Sequence, residues 1–168
     1  MELLDVYDSH GNKTGRVVER GNKDTVFSQD EHIAVAIIFI ENQKGEFLIQ
    51  KTSVEKGDEY SSTGGHVDHG EKPIDTIKRE VKEDLGLDLS RESIVNLGFL
   101  LFDFPIRFVF YIKKDFSLSD ITVQEEEVQS VSFMSVNQIL ELINHNRMHK
   151  AHAKVFEHVL NYKKSVTK

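Results

Sequence analysis

The stretch GGHVDHGEKPIDTIKREVKEDLGL, Gly64–Leu87, carries the strongest local signal in the chain. Pro73 suits the first turn of a helix, where its missing N–H would have had no partner anyway. From Ile74, apolar residues return at Ile77, Val81 and Leu85, spaced by three and four, so they form one narrow stripe that packs on something else. Gly86 fits the position just past the helix, where a left-handed residue closes the last turn. Glu80, Glu83 and Asp84 fall on the neighbouring face, within reach of one another. Like charges at that spacing destabilise a helix by a few tenths of a kcal/mol per pair, and by more when partly buried. Two things offset such repulsion: solvent together with Lys72, Lys78 and Lys82, or a hard divalent cation that prefers oxygen ligands.

The bulk properties bound the reading. With 168 residues, 29% charged and 39% hydrophobic, the chain has the make-up of one soluble globular domain spanning residues 1–168. No apolar run approaches the roughly 20 residues that span a bilayer, and the N-terminus lacks the layout of a secretion signal. A cytoplasmic protein that binds no membrane is therefore expected. Cys is absent, which removes disulfides, thiolate metal sites and a cysteine nucleophile. The formal charge of −7 argues against a nucleic acid polymer as partner, since that affinity comes from Lys and Arg. A small phosphorylated ligand remains compatible with an acidic site if divalent cations lie between them.

Along the chain, ELLDVYD reads as a short strand and SHGNKTG as a turn. HIAVAIIFI (32–40) is a nearly unbroken β-branched run, the pattern of a strand covered on both faces. ENQKGE then turns the chain into FLIQKT, making a hairpin. SIVNLGFLLF, IRFVFYIKK and EVQSVSFMSV are further strands. Ser135 reads as the N-cap of a helix over VNQILELINHN, and a last amphipathic helix runs through AKVFEHVLNYKK. Strands and helices interleave irregularly, which predicts a mixed sheet flanked by helices, an α/β (α+β) fold.

From Gly65 the chain gives Gly, five residues, Glu71, seven residues, then REVKEDLGL from Arg79 to Leu87. This resembles the signature of the Nudix hydrolases, Gly-x5-Glu-x7-Arg-Glu-aliphatic-x-Glu-Glu-x-Gly-aliphatic. Asp84 is the one departure, standing where the family usually has Glu. The resemblance implies an α/β/α sandwich and a Mg²⁺-dependent pyrophosphohydrolase, with Mn²⁺ as a substitute ion, acting on a small diphosphate-containing substrate: a nucleoside diphosphate joined to another moiety. It implies Glu80, Glu83, Asp84 and the Gly65 carbonyl as metal ligands, and a homodimer as the common assembly. Glu71 and Gly86 take structural places in the motif. Arg79 joins the catalytic set and also ties Glu71 to the helix. The signature leaves the general base open, between Glu83 and the acidic turn at Glu125, Glu126 and Glu127, of which Glu127 is the choice.

Beyond the box, DVYDSHGNKTG, EHIAVAIIFI, GEFLIQKTS and SSTGGHVDHGE resemble a narrower Nudix group that includes isopentenyl-diphosphate isomerase. That enzyme's catalytic cysteine corresponds to Gly64, and of its two upstream metal-binding histidines only the second has a counterpart, His32. An isomerase is thus the alternative, and a catalytically silent nucleotide sensor is another. His32, His66 and Arg107 are candidates for substrate contact; for Arg107 the competing reading is a surface cation. His145, His149 and His152 share a helical face at metal-compatible spacing, with no carboxylate evident beside them.

Overall fold

In the computed structural model, which describes residues 2–167, the strands are β1 (Leu3–Tyr7), β2 (Lys13–Glu19), β3 (His32–Glu41), β4 (Phe47–Thr52), β5 (Tyr60–Ser61), β6 (Thr63–His66), β7 (Val95–Leu100), β8 (Ile106–Lys113) and β9 (Val128–Met134). The helices are α1 (Pro73–Leu85), α2 (Val136–Asn144) and α3 (Lys150–Val166). β3 is the centre of the sheet. From Ala34 to Glu41 it runs parallel to β8; it is antiparallel to β6, and its ends meet β1 and β4. β2 extends the sheet beyond β1, β7 beyond β8, and β9 pairs with β4. The sheet is mixed, as the irregular interleaving of elements predicts.

The two-residue period of β3 explains the layers. Ala34, Ala36, Ile38 and Ile40 point to one face, where they pack with Ile77, Val81 and Leu85, the apolar stripe of α1. Ile37 and Phe39 point to the other, where Ile139 of α2 and Val155, Phe156 and Val159 of α3 cover them. With both faces buried, β3 carries apolar residues at almost every position. Helices on both sides of the sheet make the expected α/β/α sandwich. Ser135 caps α2 as anticipated: its Oγ accepts from the Gln138 N–H at 3.2 Å, and the Gln138 side chain accepts from the Ser135 N–H at 2.8 Å.

Three expectations need correction. SHGNKTG is a turn only in its first half; from Lys13 it is already β2, a strand with little burial and so no hydrophobic alternation to betray it. The last helix begins at Lys150, earlier than its amphipathic pattern suggests. His145, His149 and His152 do not share a helix: His145 closes α2, Asn146 adopts φ 55°, and His149 caps α3.

Phe156 holds α3 to the sheet, with its ring centroid 5.2 Å from those of both Phe39 and Phe47. Phe156→Ala is expected to lower stability by about 3–5 kcal/mol in urea denaturation; a loss below about 1 kcal/mol would show that α3 is held by something else.

Candidate active site

The motif loop is built around Glu71. Its Oε1 accepts from the Asp68 N–H at 3.1 Å, from Thr76 Oγ1 at 3.0 Å and from Arg79 Nη2 at 3.0 Å, while Oε2 accepts from Arg79 Nε at 2.8 Å. These bonds, that from Arg79 first among them, hold the Glu71 carboxyl below the usual range. The remaining nitrogen, Arg79 Nη1, reaches Glu80 at 3.0 Å and Glu83 at 3.4 Å. The N-terminal hairpin is locked to the same loop. Buried Asp5 accepts from the Gly70 N–H at 2.9 Å and pairs with His69 and Lys13, and its pKa falls to about 2 because these partners outweigh burial.

Gly65 shows why a glycine begins the motif. A Cβ there would lie 2.4 Å from the Glu80 carboxyl carbon, so a side chain at this position would push the Glu80 carboxylate out of its place. At Gly64 a Cβ would stand 2.6 Å from the Ala36 carbonyl oxygen of β3. This backbone leaves no room for the cysteine of the isomerase. Gly86 takes φ 68° and closes α1 with its N–H bonded to the Lys82 carbonyl.

Above β6 lies a cavity of about 580 Å³. Gly65, Glu80, Glu83, Asp84 and Arg79 line it from the motif, together with Glu127, His66 and Arg107. Most of the proposed site residues are thus gathered on one wall system. Glu125 and Glu126 are not among its lining, which leaves Glu127 as the acid of that turn that reaches it. Arg107 is buried rather than a surface cation; its guanidinium pairs with Asp103 and lies 4.6 Å from the centre of the Phe102 ring. His32 does not line this cavity. It is buried away from the cavity lining, with Nδ1 donating to the Phe104 carbonyl at 2.8 Å and Nε2 paired with Ser9 Oγ at 2.9 Å.

Several wall residues were not anticipated: Glu2 and Arg20 from the N-terminal hairpin, Lys56, Gln124, and the pair His149 and His152. Lys56 Nζ stands 3.4 Å from Glu127 Oε1. For the histidines the residue type was noticed, but the sheet brings them to the carboxylates and no local spacing announces it.

The electrostatics separate the acids. Burial and the nearby Asp84 charge push Glu80 up to about 7, and burial with the Glu127 and Glu83 charges pushes Asp84 up to about 6. No hydrogen-bond donor among the described residues reaches the Asp84 carboxylate, although the residue is 7% exposed. Burial, reinforced by the Arg20 cation, lowers His66 to about 4, so its ring is neutral at ordinary pH. The donor set is all oxygen and carries surplus negative charge, which fits a hard divalent cation. Among the described residues no group of three or more acids or histidines already converges as a closed metal cage. An open set of this kind suits an ion that keeps water and substrate oxygens among its ligands.

A glycine-edged strand against an acid-bearing helix, within a mixed sheet covered on both faces, defines a Nudix-type hydrolase fold. The family model for the NUDIX domain matches residues 30–159. The chain belongs to the Nudix family, and that membership makes it a pyrophosphohydrolase. An uncharacterized Nudix hydrolase of Listeria innocua is 30% identical over 143 residues, covering 83% of each chain. Among solved structures, a Deinococcus radiodurans protein superimposes with TM-score 0.76 at 16% identity, covering 92% of this chain and 96% of its own. A bifunctional NMN adenylyltransferase/ADP ribose pyrophosphatase from Francisella tularensis, complexed with AMP and a Mn ion, gives TM-score 0.60 at 16% identity, covering 78% of this chain and 42% of its own.

The raised carboxyls set a stability profile. Their folded pKa values lie above the ordinary ~3.9 and ~4.3, so the folded state holds protons that the unfolded state has released, and stability falls as pH rises from about 4 through about 7. In thermal unfolding under EDTA, Glu80→Gln is expected to lose less Tm than wild type across that window. Millimolar MgCl2 should raise the wild-type Tm most at the upper end. Parallel pH profiles for the two proteins would contradict this assignment.

Proposed function

We propose that the chain, acting as one Nudix domain over residues 1–168, is a Mg²⁺-dependent hydrolase that cleaves the diphosphate linkage of a nucleoside diphosphate joined to another moiety. The observation that carries this reading is the pair Glu80 and Asp84, half-buried to buried and mutually repelling, on a cavity whose other walls bear Arg107, Arg20 and Lys56. Acids that cost this much to leave ionised have a use when a cation binds them, and the basic walls suit the phosphates that come with it.

Glu80, Glu83, Asp84 and the Gly65 carbonyl would hold the ion; Mn²⁺ satisfies the same oxygen set. When bound, such an ion neutralises phosphate charge and lowers the pKa of a water molecule. The protein's own groups do the rest. Arg79 fixes the directions of Glu80 and Glu83 by donating to both. Glu83 or Glu127 accepts the proton of the attacking water; Glu127 lines the same cavity and is tethered by Lys56. Arg107 holds the substrate's negative charge from a buried position that keeps its cation in the cavity wall. The manganese- and AMP-bound state of the Francisella tularensis relative supports both the ion class and a nucleotide product.

The test is a panel of nucleotide sugars, dinucleotides and nucleoside triphosphates with Mg²⁺, scored for phosphate or nucleoside monophosphate by mass. Glu83→Gln is expected to reduce turnover by about 10²-fold or more while leaving the far-UV spectrum and Tm unchanged. EDTA should abolish turnover in the wild type. Tight nucleotide binding with no turnover under either Mg²⁺ or Mn²⁺ would make the protein a sensor instead.

A further inference from the structure

Beside Glu80 and Asp84 the cavity continues into a side lobe of about 170 Å³, whose far wall carries His149 and His152. Both rings have their hydrogen positions dictated by the backbone. The Ala151 N–H donates to His149 Nδ1 at 3.2 Å, and the Ser62 N–H donates to His152 Nδ1 at 3.2 Å. A nitrogen that accepts from an amide carries no hydrogen, so in each neutral ring the hydrogen is on Nε2. Ser62 Oγ adds a second contact to His152 Nδ1 at 2.8 Å. The two rings stack edge to face with centroids 5.0 Å apart, which fixes their mutual orientation.

Neither Nε2 has a hydrogen-bond partner among the described residues. Among the described residues the only side-chain nitrogen or oxygen that is both buried and unpartnered is the Tyr7 hydroxyl, so the His152 Nε2 is accessible, and His152 lines both the main cavity and the lobe. Burial holds the His152 imidazole down to about 3, which keeps this ring a neutral donor throughout the working pH range.

We propose that His149 and His152 form a fixed pair of N–H donors that binds a phosphoryl group of the substrate in the side lobe, and that neither histidine is a metal ligand or a base. The arrangement rests on the diphosphate reading above and adds the location of one phosphate to it. A metal ligand or a proton acceptor needs a lone pair aimed at the cavity, and here the lone pairs face the backbone amides. The lobe therefore has an anionic wall, which suits a cation, and a donor wall, which suits an anion. A phosphoryl group that meets the histidine donors on one side, and on the other a cation held by the acids, satisfies both. Beyond the two imidazoles, the lobe's lining side chains are polar or charged, with Gln50, Thr52, Lys56 and Ser61 among them, and so suit a phosphate.

The test uses the full chain labelled with ¹⁵N-histidine. Long-range ¹H–¹⁵N correlation is expected to show Nε2 protonated and Nδ1 bare in both residues, and Mg²⁺ with methylenediphosphonate to shift both Nε2 resonances. A hydrogen on Nδ1, unmoved Nε2 signals at saturation, or no binding of methylenediphosphonate to the wild type would each overturn the proposal. His149→Ser keeps an oxygen able to cap α3 and removes the ring. It is expected to weaken methylenediphosphonate binding by about tenfold or more, with Mn²⁺ affinity unchanged when no diphosphonate is present. Loss of Mn²⁺ binding in that variant would make the histidine a ligand and overturn the proposal. A wild type that hydrolyses nothing would sink the proposed activity, whereas the tautomers and the diphosphonate shifts decide the histidine pair by themselves.

Discussion

One guanidinium organises the site. Arg79 grips Glu71 through two parallel bonds, reaches Glu80 and Glu83 with its third nitrogen, and stands 3.4 Å from both Asp68 and the His66 carbonyl. These contacts bind helix, motif loop and strand β6 into one frame, and they raise the Arg79 pKa further above its ordinary value, the bond to Glu71 most of all. The fork geometry is what makes this possible; a lysine ammonium in its place has no planar pair of donors for Glu71. One positive charge is nonetheless shared among four carboxylates. Glu71 takes the best bonds, Glu80, Glu83 and Asp68 one contact each, and the neighbouring Asp84 none. Structural rigidity and surplus negative charge are thus two consequences of a single interaction.

The sheet turns that frame into a site. β3 pairs with β6 at Gly64 and Gly65, and the absence of side chains there lets α1 approach until the Glu80 carboxyl touches the Gly65 backbone. The same strand pairs with β8, which sets Arg107 opposite Val35 and hence on the cavity wall. The net charge of −7 says little about this place, because what a bound phosphate meets is the local arrangement of cationic walls around an acidic floor.

How much of this is legible in the sequence follows from which signals are local. α1 is readable because its stripe, its proline, its glycine cap and its acids all lie within one short segment. β3 is readable because burial on both faces leaves it apolar throughout. β2 is not, since six of its seven residues are exposed and its start looks like turn chemistry; Arg20, just past its end, is lost with it. His149 and His152 are misread for another reason. Their spacing after His145 mimics one helix, but Asn146 at positive φ and Met148 bridged to Tyr60 separate α2 from α3. Arg107 is hidden because its partners Phe102 and Asp103 precede its strand, and no periodic pattern tells which face of β8 meets a cavity.

The residues that escape sequence reading are also those free to set specificity. Glu80 has little latitude, because the Gly65 backbone and the Arg79 guanidinium confine its carboxylate. The walls that complete the cavity come from the N-terminal hairpin, the turn before β9 and the start of α3, three segments tied to the frame by a few contacts each. A change in any of these walls alters what fits above the acids without disturbing the Arg79 network. In the proposed reading the metal-holding acids and the selecting walls thus lie on different elements, with the Glu127 turn serving both, and a short motif in the helix can announce the reaction while remaining silent about the molecule it acts on.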